Sequence, residues 1–133
     1  MNVEDAVFVR WVGIGEIRDE LVNEARGRTW EYCAEHSLVE VDGGALALIK
    51  GGPKAIGFEV KVEDSGRTLH MEIEGHERRV VRMLWHTHPL VTGPSDDDLD
   101  VLAILGQQES TIYEIGGAKD GTRIRPKPGA PAG

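Results

Sequence analysis

The chain has 133 residues, 40% of them hydrophobic and 29% charged, and a formal net charge of -8; it is long enough for one domain with a modest core, and its acidic balance offers no basic stripe to a nucleic acid. A single cysteine, Cys33, excludes an intrachain disulfide and any zinc site built from several thiolates. No stretch approaches the ~20 apolar residues of a membrane span, and the N-terminus is acidic where a secretory signal is basic, so the expectation is a soluble cytoplasmic domain with neither nucleic acid nor membrane as partner.

Residues 6–12 predict a short strand, closed by Gly13 and Gly15. From Glu16 the apolar positions Ile17, Leu21, Val22 and Ala25 recur at helical spacing, and Trp30, Cys33 and Ala34 continue that face toward Glu35. Gly27 either divides this helix or sits inside it as a costly position. Residues 39–41 lead through Gly43-Gly44 into a strand over 45–50, and Gly51-Gly52-Pro53 is a turn. Residues 56–62 alternate, Asp64-Ser65-Gly66 turns the chain, and 68–73 alternate again, the pattern of a β-meander. Residues 79–85 form a strand that ends on His86 and His88. Residues 95–105 predict a helix with Leu99, Leu102 and Leu105 on one side, and 110–115 and 122–124 are the last strands. The ending, 126–133, is too rich in proline and glycine for a regular element. The expectation is an α/β domain over 1–125, with a mixed central sheet flanked by helices, and a flexible tail.

The chemical content is concentrated in LWHTHPLVTGPSDDDL, residues 84–99. In a strand, residues i and i+2 share a face, so His86 and His88 can converge on one ion. Pro89 keeps the preceding residue extended. Gly93-Pro94 turns the chain back, Ser95 is a helix N-cap, and Asp98 falls at the third helical position. There the positive end of the helix dipole favours its ionised form. Two histidines and a carboxylate hold zinc and leave a fourth position for water. Asp96 and Asp97 point to other faces and read as solvated charges.

Hydrolysis also requires a general base. With no His-Glu-x-x-His helix, the upstream candidates are Glu31, Glu35 and Glu40. Glu40 is the first choice because Gly43-Gly44 permits close backbone approach, and Glu35 is the reserve. The remaining features read as structural. His36, His70 and His76 are isolated, and Glu72 and Glu74 alternate with Met71 and Ile73 as a solvated strand face. Trp11, Trp30 and Trp85 read as core or core-edge anchors, with lining of the site as the alternative for Trp85. Cys33 reads as a small buried residue on a helix face.

The order Glu40-x-x-Gly43, His86-Thr87-His88-Pro89 and Pro94-Ser95-x-x-Asp98 resembles the JAB/MPN metalloproteases, which carry the JAMM motif. The resemblance implies a cytidine deaminase-like α/β fold, a Zn2+ ion on His86, His88 and Asp98, Glu40 as base, and Ser95 stabilising the oxyanion. It implies cleavage of peptide or isopeptide bonds, with protein or peptide substrates such as ubiquitin-like or sulfur-carrier fusions. The loop from Pro89 to Ser95 is one residue shorter than the family's. The compact chain resembles the stand-alone bacterial or phage-type domains more than the eukaryotic deubiquitinases. The competing reading is a JAB/MPN-fold binding or scaffold domain without catalysis; a deaminase would need cysteines the chain lacks.

Overall fold

The computed structural model describes residues 4–16, 19–64 and 66–128. Its elements in chain order are β1 (Val7–Val12), α1 (Asp19–Tyr32), β2 (His36–Val41), β3 (Leu46–Lys50), β4 (Glu59–Glu63), β5 (Gly66–Ile73), β6 (His76–His88), α2 (Asp96–Leu105), β7 (Ser110–Glu114) and β8 (Thr122–Ile124). Short 3-10 turns cover Ile14–Glu16 and Asp42–Gly44. No helix among the described residues is long and apolar enough to cross a membrane.

The fold is mixed α/β, with an eight-stranded, mostly antiparallel sheet in the order β1-β3-β2-β6-β5-β4; β7 pairs with β6, and β8 with β7. The meander expected from the alternating segments is β4-β5-β6, antiparallel throughout. The long β6 has β5 beside its first part and β7 beside its last, while β2 runs along its other edge. Among the described strands β6 and β7 are the parallel pair, joined by α2 in a strand–helix–strand crossover.

Alternation along the central strands sorts the core into two faces. Leu38, Leu46 and Leu48 pack with Trp85 and with Leu21, Val22 and Ala25 of α1. Val39, Val41, Ala47 and Ile49 pack on the opposite side with β5 residues and Ile104 of α2. β3, LALIK, lies between β1 and β2 and is covered on both faces, and it reads as a nearly continuous apolar run. α1 is one unbroken helix through Gly27, where an added Cβ would meet nothing within 4 Å. The expected start of this helix at Glu16 and Ile17 is not realised at Glu16, which belongs to the 3-10 turn; Ile17 lies outside the described residues, as do Ser65 of the predicted turn and 129–133 of the predicted tail.

Two other expectations are corrected. Trp30 is 75% exposed, because the buried face of α1 runs through Leu21, Val22, Ala25 and Thr29 and leaves Trp30 outside it. Cys33 is exposed, with φ of 50°, in the turn that ends α1. Trp85 is buried against Tyr113, edge to face at 5.9 Å, and so belongs to the core.

Candidate metal centre

The centre lies where the crossover turns, at the carboxyl end of β6 and the first turn of α2. His86 and His88 are the last residues but two and the last residue of β6, and both are buried. Their Nε2 atoms lie 3.0 Å apart, so the strand spacing does bring both rings to one point. Between Trp85 and Met83 the register against β2 slips, a bulge of the kind that re-aims side chains near sites.

Asp98 arrives from the helix as its capping residues dictate. Ser95 Oγ accepts from the Asp98 backbone N–H at 3.1 Å, and Asp98 Oδ2 accepts from the Ser95 backbone N–H at 2.9 Å. This reciprocal box fixes Ser95 as N-cap and Asp98 at the third position, despite the shorter loop before it. The carboxylate then straddles the two histidines, with Oδ1 3.2 Å from His86 Nε2 and Oδ2 3.3 Å from His88 Nε2. Asp96 and Asp97 remain exposed at the helix start, and Asp96 pairs with Lys127.

The fourth group is Glu35, not Glu40. Glu35 lies between α1 and β2, is 3% exposed, and places Oε2 3.7 Å from His88 Nε2. Glu35, His86, His88 and Asp98 each offer one ligand atom within 4.8 Å of the others, a group that could hold a metal ion. The backbone clamps Glu35 there: its N–H donates to Gly52 O and its C=O accepts from Gly51 N–H, both at 2.8 Å. Gly51 is required where the turn folds back on Ala55 and Ile56, since a Cβ on it would lie 2.6 Å from Ala55 O. Glu40 is five residues along β2, roughly 16 Å at strand rise, and its carboxylate pairs with Arg82 at 3.2 Å. The glycines after Glu40 serve the Asp42–Gly44 turn, where Gly43 has φ of 84°.

Sequence reasoning missed Glu114. From the neighbouring parallel strand it faces His88 Nδ1 at 3.0 Å and accepts from the backbone N–H groups of Thr92 and Gly93 at 2.9 and 2.8 Å. Its carboxylate favours a proton on His88 Nδ1, so that the neutral ring would present the Nε2 lone pair to the cluster, and it ties down the loop at Thr92 and Gly93. Carboxylate–histidine pairs of this kind orient metal ligands and raise their basicity. Nothing in its sequence setting, a lone acid in an alternating strand, marks it.

The donor set fits a small tetrahedral cation. Bonds of about 2.0 Å imply ligand-to-ligand edges of about 3.3 Å, close to the 3.0 Å between the two histidine Nε2 atoms and to the 3.2 Å from His86 Nε2 to Asp98 Oδ1. Glu35 Oε1 is buried without a hydrogen-bond partner among the described residues, a capacity that a ligand in the centre meets.

Electrostatics follow from burial and crowding. Burial pushes the Glu35 carboxyl up to about 8. For His88, burial opposes the charge, but Asp98, Glu35 and Glu114 outweigh it and the group is raised to about 9. Burial likewise opposes ionisation of Asp98, and the hydrogen bonds from His86 and His88 overcome it, holding Asp98 well below the usual carboxylate range. Without metal at neutral pH, His88 is therefore protonated and Glu35 neutral. A ligand histidine must be neutral, and a nearby dication favours ionised Glu35. Zinc uptake at pH 7 should thus release roughly one to two protons, and apparent affinity should rise toward pH 9. Calorimetry in buffers of different ionisation enthalpy counts the protons; uptake without release would refute the assignment of charges. In the metal-free protein both shifts carry the same sign. Folded pKa values raised above 4.5 for Glu35 and 6.5 for His88 mean that stability falls as pH rises through the window to about 9.

An open cleft of about 310 Å³ adjoins the cluster; Glu35, His88, Ser95 and Asp98 contribute to its lining, together with Pro53, Lys54, Pro89, Leu90, Pro94 and the Thr92-Gly93 turn. A wider groove of about 570 Å³ between α1, β6 and β7 contains none of the four clustered residues. No family model, curated protein or solved structure matches this chain.

Proposed function

We propose that the chain is a zinc-dependent hydrolase of peptide or isopeptide bonds, of the JAB/MPN type. The observation that carries this reading is the convergence of two histidines and a capped aspartate on one point, with a buried glutamate beside them and an open cleft above. Zinc, when bound, supplies a Lewis acid that polarises a carbonyl and acidifies water at neutral pH. His86, His88 and Asp98 hold the ion. Glu35 accepts the proton of the attacking water and passes it to the departing nitrogen. Its burial serves this role, since a base raised toward neutrality can both take up and return a proton.

Ser95 lies at the mouth of the same cleft. Its Oγ accepts from the Asp98 N–H, which leaves the hydroxyl proton free to donate to the oxygen of the attacked carbonyl. S95A separates this role from capping. Loss of the cap alone lowers stability by about 1 kcal/mol and leaves turnover intact on folded, zinc-loaded protein. We expect turnover to fall as well, by about tenfold or more, as loss of an oxyanion donor does.

The function itself is tested by a cleavage screen with the zinc-loaded protein against peptide libraries and ubiquitin-like fusions, with chelated protein and H88A as controls. Cleavage that disappears in both controls supports the reading. A zinc-loaded, folded protein that cleaves none of these substrates favours the binding or scaffold alternative.

A further inference from the structure

The cleft beside the centre has a distinctive lining. Glu35, His88 and Asp98 are committed to the cluster, so the remaining charged group on its walls is Lys54. Lys54 is exposed and makes no ion pair among the described residues. Its position is not arbitrary. It follows Gly51-Gly52-Pro53, the turn whose two glycines are hydrogen-bonded to the backbone of Glu35, and Gly52 N–H also bonds to Ala55 O at 2.8 Å across Lys54. The segment carrying the cation is therefore tied to the segment carrying the base.

Apart from Thr92, Gly93 and Ser95, the rest of the lining is three prolines and a leucine. Pro53, Pro89 and Pro94 cannot rotate about φ, and Leu90 is 68% exposed at the rim. A volume of about 310 Å³ is at the small end for ligand sites. It suits one amino-acid residue with an apolar side chain rather than a length of folded partner. A lysine on the wall of a cleft that adjoins the carboxylate-rich cluster complements a negative charge on that residue. Within a peptide, the residue beyond the cleaved bond offers such a charge when it is the last one and carries the free α-carboxylate.

Resting on the hydrolase reading above, we propose that this site releases a single C-terminal apolar residue, with Lys54 as the group that recognises its free carboxylate. The reaction is hydrolysis: the water oxygen bonds to the carbonyl carbon, the C–N bond breaks, and Glu35 carries the water proton to the departing amine. The products are a shortened acid and a free amino acid, with water as the sole co-reactant. Lys54 touches the substrate but moves no proton.

The test uses two readouts on zinc-loaded protein. In the first, N-acetyl-leucine and N-acetyl-leucinamide are titrated onto the parent, K54Q and K54R, with zinc content checked for each. The carboxylate should bind at least tenfold tighter than the amide in the parent, lose most of that preference in K54Q, and keep it in K54R. In the second, peptides ending in leucine are offered with free or amidated C-termini. The free form should be cleaved at least tenfold faster, with the difference lost in K54Q. An equal carboxylate preference in parent and K54Q overturns the proposal. So does equal cleavage of free and amidated peptides, a result that leaves the hydrolase reading intact. If neither peptide is cleaved but the Lys54-dependent binding persists, the carboxylate site stands and the hydrolase reading falls.

Discussion

Zinc content should drop from near one ion per chain to a small fraction in H88A, and likewise in D98N. The three close separations among His86, His88 and Asp98 leave no substitute on either side. Among the described residues the remaining member of the group is Glu35, and a site reduced to two protein ligands and a distant acid binds weakly. D98N is the more informative variant. Asparagine keeps the oxygen that accepts from the Ser95 N–H and so preserves the helix cap, but it removes the charge that the metal requires. H88A carries an added cost, since it leaves Asp98 and Glu114 facing one another without the cation between them, and removing one partner of a buried pair typically costs about 3–5 kcal/mol. Zinc content and thermal stability should therefore be read together. Ligand binding to the folded state stabilises it by about 2.7 kcal/mol when free zinc is a hundredfold above Kd. The parent should show a zinc-dependent rise in Tm, and each variant should show little or none, whatever its own starting Tm. A zinc-dependent rise of parental size in D98N would remove Asp98 from the ligand set.

The convergence of His86, His88 and Asp98 was legible because each of its signals is local. Two histidines at strand spacing, a proline that keeps them extended, and a serine three residues before an aspartate are all read within a single stretch, and backbone geometry alone converts them into convergence. The buried acid beside them, Glu35, was not legible for a specific reason. His36 and Ser37 look polar, so the strand reads as beginning at Val39 and Glu40 as standing near its start. In the fold these two are fully buried strand residues. Ser37 Oγ donates to Trp85 O at 2.7 Å. The His36 ring accepts from Arg28 Nε at 3.1 Å and lies 3.0 Å from Ala34 O, and burial holds it neutral, at about 4. Thr87, between the two ligand histidines, bonds to the His36 N–H and to Thr29. These tertiary partners extend β2 backward by three residues and move the strand's entry, with its acid, to Glu35. Glu114 was invisible for a related reason: its role depends on β7 returning parallel to β6, which no local pattern encodes.

E35Q should retain zinc and fold while losing activity by about a hundredfold or more, the range expected for removal of a general base. The substitution preserves shape and removes the proton acceptor. Zinc retention is the discriminating half of this result, because Glu35 lies farther from His88, at 3.7 Å, than His86 or Asp98 does, and geometry admits two roles for it. As a fourth ligand it would close the coordination shell, and closed four-ligand sites are structural. As a base it stands outside the shell, facing the position that three protein ligands leave open. Loss of zinc in E35Q would thus argue against hydrolysis as well as against Glu35 as base. E40Q provides the matched control. Its carboxylate pairs with the half-exposed guanidinium of Arg82, and surface pairs of this kind contribute about 0–1 kcal/mol, so E40Q should keep both zinc and turnover near parental values. A reversed pattern, with E35Q active and E40Q inactive, would return the base to the position suggested by the glycines at 43 and 44 and would require β2 to enter the site by its other end.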